Sequence, residues 1–225
     1  MKKSLKNNLK KIQDNISQLS SENKKITILA ASKSQPIELI DEAINCNVFC
    51  FGESKVQEAE QKFINKRNKI DLHLIGHLQT NKVKKAVKLF NTIQTVDTLR
   101  VAEKINSVAH TINKRQQIYC QINIGEDENK KGFKLLDFEQ EIKKILNLKN
   151  IKLKGLMTIL PRNIDFEKKE KLYQKMKTLK NKIEHKHKVT LELSMGMSDD
   201  YIVAIQNGAT VVRIGTGVFG KRTAL

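Results

Sequence analysis

Eight short runs of β-branched and aliphatic residues alternate along the chain with stretches of helical periodicity. The predicted strands are Ile26–Ala31, Asn47–Phe51, Asp71–Ile75, Thr92–Val96, Gln117–Ile124, Ile151–Ile159, Thr190–Ser194 and Thr210–Ile214. The helical patterns occupy residues 37–45, 54–66, 80–90, 98–113, 135–147, 165–186 and 199–207. Strands that alternate with helices favour a parallel sheet joined by right-handed crossovers. The pattern therefore predicts an α/β fold.

The number of strands and the chain length favour a closed barrel. Eight βα units within 225 residues fit a (β/α)8 TIM barrel at the small end of its size range. A doubly wound open sheet is the alternative, but that fold should carry a Gly-rich dinucleotide loop after an early strand, and the sequence has none. Only two prolines occur, and no Ser/Gly-rich linker divides the sequence. We predict a single domain spanning residues 1–225.

An amphipathic helix precedes the first strand. Its apolar residues are spaced four and three apart, at Leu5, Leu9, Ile12, Ile16 and Leu19. We expect this extra helix to pack against the barrel, with a membrane-surface helix as the minor alternative. It lacks the continuous apolar segment of a signal peptide, and no later run reaches membrane-spanning length. We therefore expect a soluble, cytoplasmic protein without a membrane partner.

The net charge of +18 raises the question of nucleic-acid binding. Of the 42 basic residues only six are Arg, and aromatic residues make up 5% of the chain. Bidentate phosphate recognition favours Arg, and single-stranded nucleic acid needs aromatic side chains among the basic ones. Lysines scattered from end to end indicate solvated helix faces, so we predict no dedicated nucleic-acid site.

The cysteines indicate a reducing compartment. Cys46, Cys50 and Cys120 are odd in number and lack the spacing of a disulfide framework. Cys46 and Cys50 form C-x3-C, but no second Cys/His pair completes a metal site. We predict three buried thiols and no metal.

Polar residues and glycines gather where the predicted strands end. In a parallel barrel the carboxyl ends of the strands and the loops after them form the functional face. The first strand is followed by Lys33. Later strand ends carry Phe51–Glu53, His73–Lys82, Gly155–Thr158, Ser194–Asp200 and Arg213–Gly217.

The ends of the seventh and eighth strands predict a phosphate site. Ser198 precedes a helix, so its hydroxyl and the unpaired amides of the first helical turn can meet an anion. Gly215 and Gly217 allow close approach of the backbone to a ligand, and Thr216 adds a hydroxyl. Phosphate sites in barrels often follow these two strands. Each piece alone is more often a turn or a helix cap, but their combination favours phosphate.

Lys33 fits the same face. A lysine at a barrel mouth that also holds phosphate can form a Schiff base with a phosphorylated aldehyde. Partial burial and a neighbouring cation, for which Arg213 is the candidate, would favour the neutral amine that this reaction needs. From its position alone, the first expectation for Lys33 would be a salt-bridging role.

Read in order, six segments resemble the pyridoxal-5′-phosphate homeostasis protein family. They are Ala31–Ser34, Phe51–Glu53, His73–Gln79, Gly155–Met157, Ser194–Asp200 and Val212–Thr216. The Ser-x-Gly-Met-Ser-x-Asp and Arg-Ile-Gly blocks are specific. The resemblance extends from the amino-terminal helix to Gly220, over essentially the whole chain.

The resemblance implies a barrel of the alanine racemase N-terminal domain type that binds pyridoxal 5′-phosphate (PLP). The implied cofactor contacts are Lys33, His73, Met157, Ser198, Arg213, Gly215 and Thr216. Lys33 would carry PLP as a Schiff base, Arg213 would face the pyridine nitrogen, and Ser198, Gly215 and Thr216 would hold the phosphate. The two remaining residues fall where pocket walls are expected.

Two places depart from the family pattern. Ser54 and Lys55 stand where the family often has Asn and Tyr after Gly-Glu, so contacts made by that pair are in question. Gln35 stands where a second lysine is common. Any hand-over of cofactor through an amine at that place would be lost or moved to another lysine.

The function expected is that of a carrier. A guanidinium at the ring nitrogen does not leave that nitrogen protonated, so the ring is a poorer electron sink. Racemisation also needs an acid/base group on each face of the substrate. Tyr201 is the tyrosine nearest the mouth, and it is expected to pack between helices. We predict a PLP homeostasis protein without turnover, a monomer whose partners are PLP and PLP-dependent apoenzymes. A weak amino-acid racemase is the alternative.

Overall fold

The computed structural model describes residues 2–19 and 25–220, and its eight parallel strands form a closed barrel in chain order. The strands are β1 (Thr27–Ala31), β2 (Cys50–Glu53), β3 (Asp71–Leu74), β4 (Thr92–Val96), β5 (Gln116–Gln121), β6 (Ile151–Met157), β7 (Glu192–Ser194) and β8 (Val211–Ile214). β8 pairs with β1 and closes the barrel, with Arg213 beside Leu29. The (β/α)8 TIM barrel predicted from the sequence is confirmed.

Helices follow the strands as the periodicity predicts. They are α1 (Lys2–Leu19), α2 (Ile37–Asn45), α3 (Val56–Phe63), α4 (Val83–Leu89), α5 (Leu99–Thr111), α6 (Leu135–Leu146), α7 (Phe166–His187), α8 (Tyr201–Gln206) and α9 (Thr216–Phe219). Single 3-10 turns occupy Arg67–Lys69 and Thr80–Lys82. The sequence did not predict α9, because a one-turn helix is too short to show a period.

The strands separate an apolar layer from a polar one. Between strands and helices lies the hydrophobic core, in which Phe51, Ile93 and Leu193 are fully buried. Burial of each such side chain contributes roughly 1.5–3 kcal/mol. Inside the barrel, Gln94 and Arg213 are buried as well. Buried polar groups need hydrogen-bond partners, so the interior must form a connected network.

The second strand begins later than predicted. The apolar run suggested Asn47–Phe51, whereas β2 is Cys50–Glu53. Asn47 has a left-handed φ of 62° as the chain turns out of α2, which delays the strand. Gly52 disfavours a strand locally, but a Cβ there would lie 2.3 Å from Leu29 Cδ2, so a larger residue would have to displace the Leu29 side chain. The other strands match the predictions to within three residues at each end.

The amino-terminal helix packs against the barrel, as predicted. Its apolar residues Leu5, Leu9, Ile12 and Ile16 are buried, and α1 contacts α8 and α9. Asn8 Nδ2 donates to Val218 O at 3.2 Å. Within the described part of the chain, no helix is both long and apolar enough to span a membrane.

The cysteines differ from the prediction in part. Cys120 is buried, whereas Cys46 and Cys50 are partly exposed. Both lie at the amino-terminal side of the barrel, where α2 ends and β2 begins. Cys120 lies within β5 and belongs to the hydrophobic core, whereas these two cysteines stand at the ends of their elements.

Candidate functional site

A tight turn presents Lys33 directly after β1. The Gln35 amide donates to Ser32 O at 3.0 Å and closes the turn, and the Ser32 amide donates to Gly52 O at 3.0 Å. Ser34 adopts a left-handed φ of 59°. Lys33 itself is exposed at the carboxyl rim of the barrel. The lysine singled out in the sequence therefore lies on the face where barrel sites are built.

The closing strand pair brings this turn to the end of β8. Ala30 pairs with Ile214, one residue before Gly215. A Cβ at Gly215 would lie 3.4 Å from Ala31 O. Gly215 therefore lies against the strand end that leads into Lys33, and Thr216, the first residue of α9, is exposed beside it.

Ser198 joins the loop after β7 to the loop after β8. Its Oγ accepts a hydrogen bond from the Gly217 amide at 3.1 Å. Asp200 shapes this loop, because its Oδ1 accepts from the Met197 amide at 2.7 Å. Gly196 has a φ of 93°, and a Cβ there would lie 2.6 Å from Ala204 Cβ, so only glycine fits this turn. The hydroxyl and glycine amides predicted for phosphate are thus adjacent.

Arg213 extends into the barrel interior and is 5% exposed. Its Nη2 donates to Thr158 O at 2.7 Å, and its Nη1 donates to Ser194 Oγ at 2.8 Å. Burial lowers the pKa of the Arg213 guanidinium to about 10, and the nearby Tyr173 and Asp200 oppose this shift. Arg213 therefore remains a cation at neutral pH, fixed between β6 and β7.

The bond from Arg213 starts a directional chain of hydrogen bonds. A guanidinium can only donate, so Ser194 Oγ accepts and its own proton goes to Gln94 Oε1 at 2.7 Å. Gln94 Nε2 then donates to His73 Nδ1 at 2.7 Å. The imidazole proton must lie on Nε2, which faces Asp71 Oδ2 at 3.0 Å. The chain runs from the interior below the Lys33 turn to the amino-terminal opening of the barrel.

His73 thus has a different setting from the one expected for a pocket wall. It is 2% exposed and lies between β2 and β4 inside the barrel. Burial alone would raise the pKa of Asp71, but the hydrogen bond from His73 and the charge of Lys154 lower it below its ordinary value. Met157, the other expected wall, is fully buried and pairs with Ser194.

Cys50, Asp71 and His73 place one potential ligand atom each within 4.8 Å of the others. This spacing could hold a metal ion, which the sequence did not predict. Burial raises the pKa of the Cys50 thiol, whereas a thiol must lose its proton to bind a metal. The hydrogen-bond chain also places a proton on the His73 nitrogen that would be the ligand. The three groups therefore fit a hydrogen-bonded cluster better than a metal centre.

Each of the three tyrosine hydroxyls has a hydrogen-bond partner within the protein. Tyr119 donates to Glu192 inside the barrel, and Tyr173 donates to Asp200 Oδ2 at 2.9 Å. Burial raises the pKa of both hydroxyls. Tyr201 accepts from Asn15 Nδ2 of α1 at 2.7 Å, which agrees with the predicted packing role.

An open cavity of about 530 Å³ lies on the same face of the barrel, across from β1 and β8. The loops after β3, β4 and β5 supply its wall, where His77 Nδ1 lies 3.2 Å from Asp97 Oδ2. Arg100 and Lys131 add positive charge to this wall. None of the predicted cofactor contacts lines this cavity.

Sequence reasoning missed Gln94 and Asp71. Gln94 lies in the middle of an otherwise apolar and Thr-rich strand, and it is fully buried. A lone amide in such a strand was a usable signal, because a buried amide must find partners. Nothing local in the sequence could have identified those partners, since they come from β3 and β7.

Comparison with known proteins agrees with this architecture. The family model of the alanine racemase N-terminal domain matches residues 7–223. A pyridoxal phosphate homeostasis protein of Synechocystis is 38% identical over 200 residues, which are 88% of this chain and 92% of that protein. The chain belongs to the pyridoxal phosphate homeostasis protein family. A member from Escherichia coli is 31% identical over 223 residues, covering 96% of this chain and 95% of that protein.

Solved structures of the homeostasis family and of the racemases share the fold. PipY of Synechococcus elongatus with PLP bound is 30% identical, with a TM-score of 0.88 over 96% of this chain and 100% of that chain. Alanine racemase of Clostridium difficile is 20% identical, with a TM-score of 0.79 over 99% of this chain and 61% of that chain. The likeness to the racemase shows the fold alone.

Proposed function

We propose that this protein binds PLP as a Schiff base on Lys33 and takes part in PLP homeostasis. The observation that carries the proposal is the β1–β8 pairing, which sets the Lys33 turn against Gly215. Ser198 and Gly217, joined at 3.1 Å, lie in the adjoining loops. An amine, a hydroxyl and backbone amides therefore share one rim. This donor set fits an aldehyde and a phosphate on one small molecule.

The rim residues and the interior residues contact different parts of the cofactor. Ser198, Gly215 and Thr216 hold the phosphate with a hydroxyl, backbone amides and a second hydroxyl. Arg213 uses one N–H on each terminal nitrogen for Ser194 and the backbone, which leaves further N–H groups to face the pyridine nitrogen. Met157, buried and paired with Ser194, packs beneath the ring, and His73 supports Arg213 from below. When bound, the cofactor supplies a reactive aldehyde.

A role without turnover is favoured by the tyrosines. A racemase needs a second acid/base group opposite the lysine. Tyr119 donates to Glu192, Tyr173 donates to the buried Asp200, and Tyr201 contacts α1. A relative from Synechocystis is named a pyridoxal phosphate homeostasis protein. The alanine racemase of Clostridium difficile shares the fold, but this chain covers only 61% of it. Storage and delivery of PLP fit these observations better than racemisation.

Delivery would take place to PLP-dependent apoenzymes. Gln35 contributes its backbone to the Lys33 turn and is 8% exposed, so no second amine lies at that position. Lys55 is exposed at the start of α3, next to the end of the neighbouring strand β2.

We propose that residues 1–225 act as one domain and as a monomer in the cytoplasm. The cytoplasm is a reducing compartment, and the three free cysteines agree with this location.

A spectroscopic titration tests the proposal. Purified protein is titrated with PLP, reduced with borohydride and digested, and the expected result is a visible absorption band and a cofactor mass on the peptide that contains Lys33. Lys33→Ala should lose the band and the label. Lys25→Ala, an exposed lysine at the opposite end of β1, is the matched control and should keep both. Label on another lysine would overturn the assignment.

The racemase alternative is separated by a second assay. The PLP-loaded protein is incubated with single L-amino acids, and the D-enantiomer is measured by chiral chromatography. The expected result is no sustained production. Turnover that disappears in Lys33→Ala would replace the carrier by a racemase.

A further inference from the structure

Three charged side chains gather behind the turn that presents Lys33. Glu53 ends β2, and Glu58 and Lys62 lie on consecutive turns of α3. Lys62 Nζ lies 3.2 Å from Glu53 Oε1 and 2.5 Å from Glu58 Oε1. We name Glu53, Glu58 and Lys62 the turn clamp. None of these residues was singled out with a role in the sequence.

The turn clamp contacts both residues that flank Lys33. Lys62 Nζ donates to Ser32 O at 3.0 Å, and Ser32 Oγ donates to Glu53 Oε1 at 2.8 Å. Glu58 Oε1 accepts from the Ser34 amide at 2.6 Å. Hydrogen bonds to charged groups are shorter and stronger than neutral ones. The backbone on either side of Lys33 is therefore fixed by charges.

The Ser34 backbone needs this support. Its φ of 59° is left-handed, a conformation that is unfavourable for a residue with a Cβ. A hydrogen bond to a charged acceptor is stronger than a neutral one, so the bond from Ser34 to Glu58 can offset that cost. Without this hydrogen bond, the turn would relax and the position of Lys33 would change.

Lys62 is placed to orient and not to react. Its side chain is 14% exposed, and its ammonium contacts one carbonyl and two carboxylates. Glu53 is fully buried, and its Oε2 has no partner among the described residues. Burial raises the pKa of Glu53, against the charge of Lys62 and the hydrogen bond of Ser32, which lower it. The buried Glu53 side chain therefore holds the Lys62 ammonium in place behind the strand ends.

We infer that Lys62 is a positioning residue for Lys33: through Ser32 and Glu58 it fixes the turn so that the Lys33 amine meets a ligand whose phosphate lies at Ser198 and Gly215. This inference rests on the proposed function. It predicts that loss of Lys62 slows covalent capture of the aldehyde while the non-covalent grip on phosphate and ring persists. A residue needed only for folding would affect both alike.

The test compares Lys62→Met with wild type in two measurements. Schiff-base formation is followed by stopped-flow absorbance after mixing with PLP, and the Kd of pyridoxine 5′-phosphate, which lacks the aldehyde, is measured by calorimetry. Loss of a charged hydrogen bond should slow capture roughly tenfold, with less than a twofold change in the Kd of the analogue. Lys66→Met is the matched control, because Lys66 pairs with Asp41 at 2.6 Å away from the turn and should leave both values unchanged.

A second variant covers the case in which Lys62→Met does not fold. Glu58→Ala removes the acceptor for Ser34, a side chain that is 23% exposed, and leaves the contact between Lys62 and Glu53 in place. It should show the same split between capture rate and analogue affinity. Unchanged capture in both variants, or an equal loss of both quantities, overturns the positioning role. Wild type that captures no PLP on Lys33 would instead refute the proposed function itself.

Discussion

Arg213 and His73 occupy the two ends of one hydrogen-bond chain inside the barrel, and the guanidinium fixes the position of the proton on the imidazole. Arg213 donates to Ser194, Ser194 to Gln94, and Gln94 to His73 Nδ1. Because every link has one allowed direction, the tautomer of His73 follows from the chemistry of Arg213. The group expected to face the cofactor ring is thereby supported from the opposite end of the barrel.

The tautomer can be measured directly. We expect the ¹⁵N chemical shifts of His73 to show the proton on Nε2, because Nδ1 accepts from Gln94 at 2.7 Å. The spectrum of His73→Gln assigns the signals. A proton on Nδ1 would mean that the Gln94 amide has the opposite orientation and that the chain does not start at Arg213.

Replacement of Gln94 should reverse or break the chain. In Gln94→Glu the carboxylate can only accept, so Nδ1 of His73 should then carry a proton, and the same ¹⁵N measurement reports it. In Gln94→Leu, Ser194 and His73 each lose a buried partner, and we expect the free energy of unfolding to fall by about 1–3 kcal/mol. Chemical denaturation measures this loss. A neutral Gln94→Leu would indicate that water takes over both bonds.

Phosphate affinity should depend on Ser198. Its half-buried hydroxyl contacts the Gly217 amide at 3.1 Å, and removal of a hydroxyl that binds a charged group costs about 1.5–3 kcal/mol, or roughly tenfold or more in Kd. Ser198→Ala should therefore weaken binding of PLP and of inorganic phosphate in calorimetry. Ser17→Ala, on the exposed face of α1, should change neither. Equal affinities in Ser198→Ala and wild type would remove Ser198 from the phosphate site.

The barrel could be predicted well because the strand and helix periods that define it are local features of the sequence. Strand and helix periods define eight βα units, and the rule that sites lie at carboxyl strand ends selects Lys33, Ser198 and Arg213 for attention. Their roles in binding stay predictions. Gly52 shows where local evidence fails, since a residue that disfavours strands lies inside β2 because Leu29 fills the space beside it.

The interior network and the turn clamp could not be predicted in this way. Gln94 contacts Ser194, 100 positions away, and His73, 21 positions away. Closure of the barrel creates these contacts, and the same sequence would not make them in an open sheet. Lys62 resembles any other lysine on a charged helix until α3 packs against β2 and brings its amine to the Ser32 carbonyl. The sequence therefore supplied the rim of the site but not the support beneath it.

The pH dependence of stability should show a contribution from Lys114. Burial, with the nearby charge of Arg67, lowers the pKa of Lys114 from 10.5 to about 8. Its amine donates to Val87 O at 2.6 Å and to Phe90 O at 2.7 Å, and a neutral amine still has two protons for these bonds. Between pH about 8 and 10.5 the unfolded chain holds the extra proton, so folding stability rises with pH through this window.

Comparison with Lys114→Met isolates this contribution, because the other lysines titrate in both proteins. The difference in unfolding free energy between wild type and variant, measured by urea denaturation, should grow from pH 7.5 to pH 10. Lys85→Met, an exposed lysine that pairs with Glu60 at 3.5 Å, should give a nearly constant difference over the same range. A difference for Lys114→Met that shrinks as the pH rises would mean that the two carbonyls stabilise the ammonium more than burial disfavours it.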